Sequence, residues 1–372
     1  MKSAGWRSSA VSHLDHQITN ASHRMQRAVL RAERAGILAR MGKSPEALAE
    51  ISFLRTEFKG CLYPEVSVRL YLAEAWQAYF ADFSPKAGST IRRAHALSQA
   101  AGLTAERALS AAWLAHMDYI QLDFHAMVKH ILEALHGSEP HAHNTRSRAC
   151  LVVAEAYHLA GAFQCAQPWY AQARFHAMAG RDPLTLSAIN HNMAWHRTLQ
   201  SFQQSLWGNL GTAQDEARHA MTSAAATQAL DTCGGTMAPQ RSIQLAQALG
   251  YSVLGRYDQA LNLYDSHGLP SEAEGLSPLK PLILADMAWC CYQIGQPLQA
   301  NHYALESVLS FGLTSHADNL ALAHARLDQV FQLLDEPHRA NTHRHEAESN
   351  LRAHQQLQAQ LLHALNTAFV GF

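Results

Sequence analysis

The amino-acid sequence predicts an all-α protein, an α-solenoid of about eight helix-turn-helix repeats with a C-terminal capping helix. Helix-forming residues prevail, because alanine is abundant while Gly (20) and Pro (12) are scarce among the 372 residues. Strand-favouring residues are sparse and never alternate with a period of two over a useful stretch. A short turn pattern also returns at a nearly constant interval. We therefore expect at least fourteen helices and no β-sheet.

The turn pattern is a Gly or a substitute, then Ser, Pro or an aromatic residue two positions on, and usually a small residue at the fifth. Gly161-Ala-Phe-Gln-Cys-Ala166 is one copy. The copies are 39 or 40 residues apart, except for 55 residues between the fifth and the sixth. Gly suits such a turn because it tolerates positive φ, and Asp is a fair substitute. The first residues of the eight copies, here called anchors, are Gly42, Asp82, Leu122, Gly161, Gln200, Gly255, Gly295 and Asp335.

A small residue recurs seven positions before most anchors, where it lets two helices approach closely. Six of the eight positions are alanine, and we expect Ala154 and Ala248 in particular to be buried where helices cross. The six alanines are Ala35, Ala75, Ala115, Ala154, Ala248 and Ala288. Each unit is then a helix A, a tight turn at the anchor and a helix B, and neighbouring units must stack to bury their apolar faces.

Over roughly residues 27–350 these positions resemble the tetratricopeptide repeat (TPR) family, with a repeat of 40 residues rather than 34. Longer repeats of this kind are similar to those of bacterial signalling regulators, where such arrays sense peptides or hold partner proteins. The resemblance implies a right-handed solenoid whose A helices line a concave groove. HEAT or armadillo repeats, which have a similar period, are the competing interpretation.

The repeat register divides the chain into five segments. An N-terminal extension (1–26) is expected to be partly disordered or to lead into the first helix. Repeats one to five (27–209) and six to eight (241–342) flank an insertion (210–240), which is either a hinge or a simple loop. The last segment (343–372) should be one long helix with an apolar stripe that caps the solenoid or forms a dimer seam. The stripe consists of Leu357, Leu361, Leu365 and Phe369.

Charge and composition disfavour several classes of protein. The formal net charge is −1 and no long basic run is present, so direct nucleic-acid binding is not expected. Six cysteines without CxxC spacing predict free thiols in a reducing compartment. No run of 18 apolar residues occurs, so we expect no membrane association and a cytoplasmic location. No catalytic motif is found, and we predict neither enzymatic activity nor a cofactor.

The sequence contains 24 histidines, an unusually high number. Pairs such as His141 and His143, or His191 and His196, are spaced so that a helix would point them to different faces. We therefore predict no metal site and interpret the histidines as solvent-facing or groove-lining residues. Sensitivity to pH is a milder alternative, because histidine titrates near neutrality.

The TPR resemblance places groove residues mainly six and three positions before each anchor. Aromatic residues with a polar tip recur there, and such side chains are common at binding hot spots. Packing between helices is the alternative role for each of them. No Lys/Asn/Arg clamp for a terminal carboxylate is recognisable, which disfavours chaperone C-terminal tails as ligands. The candidate groove residues are Trp76, Tyr79, His116, Tyr119, Glu155, His158, Asn190, Arg197, Trp289 and Tyr292.

Two functions follow as hypotheses from this pattern. The first is a regulatory or scaffold module that binds a peptide or protein segment in its groove, in bacterial signalling. The second is a structural adaptor or oligomerisation protein that acts through its convex surface and C-terminal helix, with a homodimer as one outcome. An enzyme or metal protein hidden among the histidines is the least favoured.

Overall fold

The computed structural model describes residues 7–60, 63–83, 87–234, 240–270, 276–312 and 316–369. These ranges contain seventeen α-helices and one 3-10 turn, and no strand lies within them. The all-α prediction is therefore confirmed. None of the described helices is both long and apolar enough to cross a membrane. The helices are α1 (Arg7–Asn20), α2 (Arg24–Arg40), α3 (Ser44–Glu57), α4 (Pro64–Asp82), α5 (Gly88–Ala100), α6 (Thr104–Ile120), α7 (Phe124–His136), α8 (His143–Leu159), α9 (Phe163–Ala179), α10 (Pro183–Trp207), α11 (Leu210–Gly234), α12 (Gln240–Val253), α13 (Tyr257–His267), α14 (Lys280–Gln293), α15 (Pro297–Leu309), α16 (Ala317–Leu333) and α17 (Pro337–Ala368).

The sixteen helices from α2 to α17 form eight consecutive pairs, each made of a helix A and a helix B. In six of these pairs the two helices are seen to pack together, as α6 does with α7 and α8 with α9. Within each compact unit A helices of successive repeats also touch, as α2 does with α4 and α14 with α16. In the N-terminal extension α1 packs on α2, while residues 1–6 lie outside the described residues.

The A-to-B turns confirm six of the eight anchors. Gly42, Leu122, Gly161, Gly255, Gly295 and Asp335 all have positive φ. At Gly42 the amide donates to Ala39 O (3.0 Å), and the next amide, Lys43 N, donates to Leu38 O (2.9 Å). This pair of bonds is the Schellman motif, which satisfies the last carbonyls of a helix. In the second repeat α4 includes Asp82, and Phe83 takes the left-handed conformation instead.

The predicted anchor of the fifth repeat is wrong. Gln200 lies inside α10, which continues to Trp207, and the turn comes at Gly208 and Asn209. The segment after Gln200 contains no Gly or Pro, so nothing stops the helix before Gly208. Gly208 is 47 residues from both Gly161 and Gly255, so the extra residues lengthen both helices of this repeat to 25 residues. Residues 235–239 of the predicted insertion lie outside the described residues, and its hinge role stays a prediction.

The alanines seven positions before the anchors are buried as predicted. All six of them have no exposed surface. Because native cores are close-packed, a larger side chain at these fully buried positions would have to displace its neighbours.

Replacing Ala154 or Ala248 with leucine should therefore overpack a helix contact. We expect each variant to lose about 1–3 kcal/mol of unfolding free energy in urea titrations. Ala171 on α9 is exposed, and Ala171→Leu is the matched control, expected within about 0.5 kcal/mol of the wild type. Unchanged stability in both core variants would contradict the repeat register.

The described chain forms two compact units. The first comprises 1–189, 229–238 and 360–372, and the second 190–228 and 239–359. In the first unit one core cluster joins α4, α5 and α6 around Leu72, Ile91 and Leu114. In the second, a large cluster joins the helices from α10 to α16 around Phe202, Tyr264 and Leu282.

The C-terminal helix begins earlier than the predicted boundary at residue 343. Helix B of the eighth repeat and the terminal segment are one 32-residue helix, α17, because no Gly or Pro follows Pro337 until Gly371. In the first unit, Leu361 and Leu365 are fully buried, and the Phe369 ring meets Trp169 with 5.3 Å between centroids. These stripe residues are thus covered by the same chain.

Candidate functional site

The first unit contains a cavity of about 770 Å³. Its walls come from α1, from the A helices of the first four repeats, and from the turn between α9 and α10. This volume lies in the range of clefts that hold small molecules. Ser12 and Gln17 of α1 form part of the wall, and α1 is tied to α2 by an Asp15–Arg34 ion pair of 2.6 Å.

Two tryptophans form the apolar part of the cavity wall. Trp76 on α4 and Trp113 on α6 pack with 5.4 Å between ring centroids. Trp76 also lies directly against Gly36 of α2, where an added Cβ would be 2.5 Å from the indole ring. Glycine weakens a helix interior, so its presence at residue 36 is explained by the close approach of this indole.

An ion pair joins the first repeat to the start of α10. Arg40 Nη2 donates to both carboxylate oxygens of Asp182, at 2.9 and 3.1 Å. Asp182 also accepts from the backbone N–H of Leu184 (3.1 Å) and Thr185 (3.0 Å), so it caps α10. Burial raises the pKa of Asp182, but Arg40 and the Thr185 hydrogen bonds outweigh it, so the pKa lies below its ordinary value.

Arg148 on α8 is the second cationic residue of the cavity wall. It is 6% exposed, and its guanidinium lies 4.0 Å from the centre of the Trp113 ring. Burial and then the charge of Arg40 lower its pKa to about 10. Its Nε atom has no hydrogen-bond partner within the described part of the chain, and neither do Arg40 Nε and Trp76 Nε1.

Among the predicted groove residues of this unit, Trp76 borders the cavity, Tyr79 is buried and His116 is half-buried. Tyr79 is hydrogen-bonded to His116 Nε2 at 2.9 Å. Burial raises the pKa of Tyr79 to about 12; burial and then the charge of Arg148 lower that of His116 to about 3. Tyr119 on α6 is half-buried.

The remaining two residues of this set belong to α8. Glu155 accepts a hydrogen bond of 2.7 Å from the Tyr170 hydroxyl, and the same hydroxyl lies 3.4 Å from His158 Nδ1. Burial and then the neighbouring Glu155 charge raise the pKa of Tyr170. Glu155 is buried and His158 is half-buried, so this group ties α8 to α9.

The four predicted residues of the second unit are all half-buried. They are Asn190, Arg197, Trp289 and Tyr292. Arg197 donates to Ser223 Oγ at 3.2 Å. Trp289 lies 4.7 Å from the Arg326 guanidinium, which is 3.3 Å from the carboxylate of Asp286. Burial raises the pKa of Asp286 even though Arg326 opposes this effect.

Of the predicted groove residues only Trp76 lines the cavity, and the residues that sequence reasoning missed include Arg40, Trp113, Arg148 and Asp182. In α6 and α8 the wall uses positions nearer the start of helix A than those predicted, because Trp113 precedes its anchor by nine residues and Arg148 by thirteen. One signal was present in the sequence. Arg148 directly precedes an apolar run of α8, Ala-Cys-Leu-Val-Val-Ala. A charged residue next to such a run is unusual, because arginine is rarely buried unless it is paired.

Among the described residues, two pairs of histidines have ring nitrogens within hydrogen-bond distance, one pair in each unit. His143 and His176 have Nδ1 atoms 3.0 Å apart, and His324 and His343 have Nδ1 atoms 2.8 Å apart. Burial and then the neighbouring His343 lower the pKa of His324 to about 4. Over the described ranges, no three His, Cys, Asp or Glu side chains are grouped as a metal site requires.

Comparison with known proteins shows the fold. No protein-family model matches the sequence, and no match is found among curated proteins. Among solved structures, the chain is similar to the crystal structure of a Rap protein complexed with competence and sporulation factor. The TM-score is 0.53 at 11% sequence identity, over 95% of this chain and 92% of that chain. The chain therefore has a TPR-like helical-repeat fold.

Proposed function

We propose that this chain is a regulatory or scaffold module that binds a polypeptide segment in the cavity of its first unit. The observation that carries the proposal is the cavity itself, whose walls come from successive A helices. Its size suits a short peptide, and its wall combines an aromatic pair with hydrogen-bond donors and acceptors. The similar Rap structure holds a competence and sporulation factor, which supports a signalling role.

The predicted groove residues outside the cavity belong to the same proposal. Tyr119 and His158 in the first unit, and Arg197, Trp289 and Tyr292 in the second, are half-buried and offer polar tips. They would extend the contact with a longer segment. A bacterial, cytoplasmic signalling context is the setting in which we propose that this module acts.

Loss of Trp76 should weaken binding most strongly among single aromatic substitutions. A defined pool of random heptapeptides is incubated with the protein, bound peptides are identified by mass spectrometry, and one is measured by calorimetry. Trp76→Ala should raise its dissociation constant about thirtyfold or more, the effect of losing a central aromatic anchor.

Trp207 on α10 of the second unit is 43% exposed, and Trp207→Ala is the matched control, expected to bind as the wild type does. Tyr119→Ala and Arg197→Ala test the extended groove, and circular dichroism checks that each variant is folded. Wild-type affinity in folded Trp76→Ala would show that the cavity is not the peptide site.

A structural adaptor that acts through its outer surface is the second candidate function. Leu298 and Leu309 on α15 are 88% and 85% exposed, which favours a contact on this helix. The C-terminal stripe supports the adaptor less well, because Leu361, Leu365 and Phe369 are buried within the chain.

A further inference from the structure

Three buried donors border the cavity without a hydrogen-bond partner in the described part of the chain. They are Arg40 Nε, Arg148 Nε and Trp76 Nε1. Buried N–H groups of native proteins are nearly always paired, so three orphans beside one cavity require an explanation. A ligand that accepts hydrogen bonds would supply the missing partner.

The three orphan donors meet around Trp113. The Arg148 guanidinium lies 4.0 Å and that of Arg40 5.9 Å from its ring centre, and the Trp76 ring is 5.4 Å away. Stacking on the indole faces holds the side chains in place before any ligand arrives. The three side chains therefore cluster around one indole in the cavity wall.

The carboxylates nearby do not supply an acceptor for Arg148 Nε. Asp182 is occupied by Arg40 and by the amides and hydroxyl of the α10 cap. Glu155 attracts Arg148 but accepts its hydrogen bond from Tyr170. Arg148 is therefore a buried cation whose Nε lacks an acceptor, and a planar guanidinium is suited to bind an oxyanion through two parallel bonds.

We propose that the cavity binds a carboxylate of its ligand at Arg148, with Arg40 Nε and Trp76 Nε1 as further donors. A single negative charge fits better than the double charge of a phosphate, because Asp182 and Glu155 already place two carboxylates close to the two arginines. This carboxylate site rests on the proposed peptide-binding function, because the carboxylate is expected to belong to a bound peptide. A small organic acid carries the same chemistry.

Two matched pools of N-acetylated random pentapeptides test this inference on the full-length chain. The first pool contains Asp, Glu and a free C-terminal carboxylate. The second has Asn and Gln in their places and a C-terminal amide. Succinate, with succinamide as its neutral counterpart, is titrated separately at constant ionic strength and followed by tryptophan fluorescence and thermal melting.

The expected result is that the wild type enriches the carboxylate pool at least tenfold and that Arg148→Met loses this preference. Arg148→Lys keeps the charge but not the planar donors, so its enrichment of the carboxylate pool should lie between those of the wild type and Arg148→Met. It replaces the methionine variant in the test if that variant does not fold. Arg352 on α17 is exposed, and Arg352→Met is the control that removes a surface charge.

The remaining outcomes separate the two proposals. Equal capture from both pools, unchanged in Arg148→Met, overturns the carboxylate site and leaves the peptide function standing. Binding of succinate that depends on Arg148, without capture of any peptide, supports the site for a small acid and overturns the peptide function. Capture from neither pool and no succinate binding overturns both.

Discussion

Acidification from pH 6.5 to 4 is expected to reduce the free energy of unfolding through His116 and His324 alone, with a slope that reaches at most about 2.7 kcal/mol per pH unit between their folded and unfolded pKa values. Burial, followed by the Arg148 charge, lowers the pKa of His116 to about 3; burial and His343 lower that of His324 to about 4. Both pKa values lie below the ordinary 6.5 of the unfolded chain. The unfolded chain therefore binds more protons in this window, and the stability present above pH 6.5 is lost as the pH falls.

Urea titrations at half-unit pH steps measure this slope. The double variant His116→Gln/His324→Gln should lose most of it, whereas His345→Gln, at an exposed position of α17, should keep the wild-type slope. Parallel curves for the wild type and the double variant would contradict the burial of these two imidazoles. The lowered pKa values of His116 and His324 also argue against these two residues as sensors of pH near neutrality, the alternative that the sequence suggested.

Replacing Arg40 with methionine should cost about 3–5 kcal/mol of unfolding free energy, the usual cost of stranding a buried charge. Asp182 is 8% exposed, and Arg40 is the only arginine that donates to it among the described residues. Thermal and urea unfolding measure the loss.

The control for the Arg40 prediction removes the stranded charge without removing the helix cap. Asp182→Asn keeps an oxygen that can accept from Leu184 N and Thr185 N, so Arg40→Met/Asp182→Asn should recover most of the lost stability. A double variant no more stable than Arg40→Met would show that the loss comes from packing rather than from charge.

The repeat architecture was predictable because its signals are local. A left-handed turn selects Gly or Asp, and a close helix crossing selects Ala, so both positions recur in the sequence. The turn of the fifth repeat was predicted at Gln200 because Phe202 follows it by two positions, as an aromatic residue does in other turns. In the structure Phe202 is instead a fully buried core residue inside a longer helix. A core aromatic and a turn aromatic look alike until the end of the helix is known.

The cavity was less predictable because it depends on contacts between distant parts of the chain. Arg40 and Asp182 are 142 residues apart, and neither forms part of the repeating pattern. Family positions predicted Trp76, but they could not show that Gly36 makes room for its ring or that Arg148 stacks on Trp113. Such features arise from the stacking of particular repeats rather than from the repeat itself.

Photo-crosslinking from two positions tests most directly whether the cavity holds the ligand. Benzoylphenylalanine replaces either Leu30, which lines the cavity, or Leu298, which is exposed on α15. We expect a captured peptide to crosslink to position 30 and not to position 298. Crosslinking at 298 and not at 30 would contradict the cavity as the binding site and favour the adaptor function.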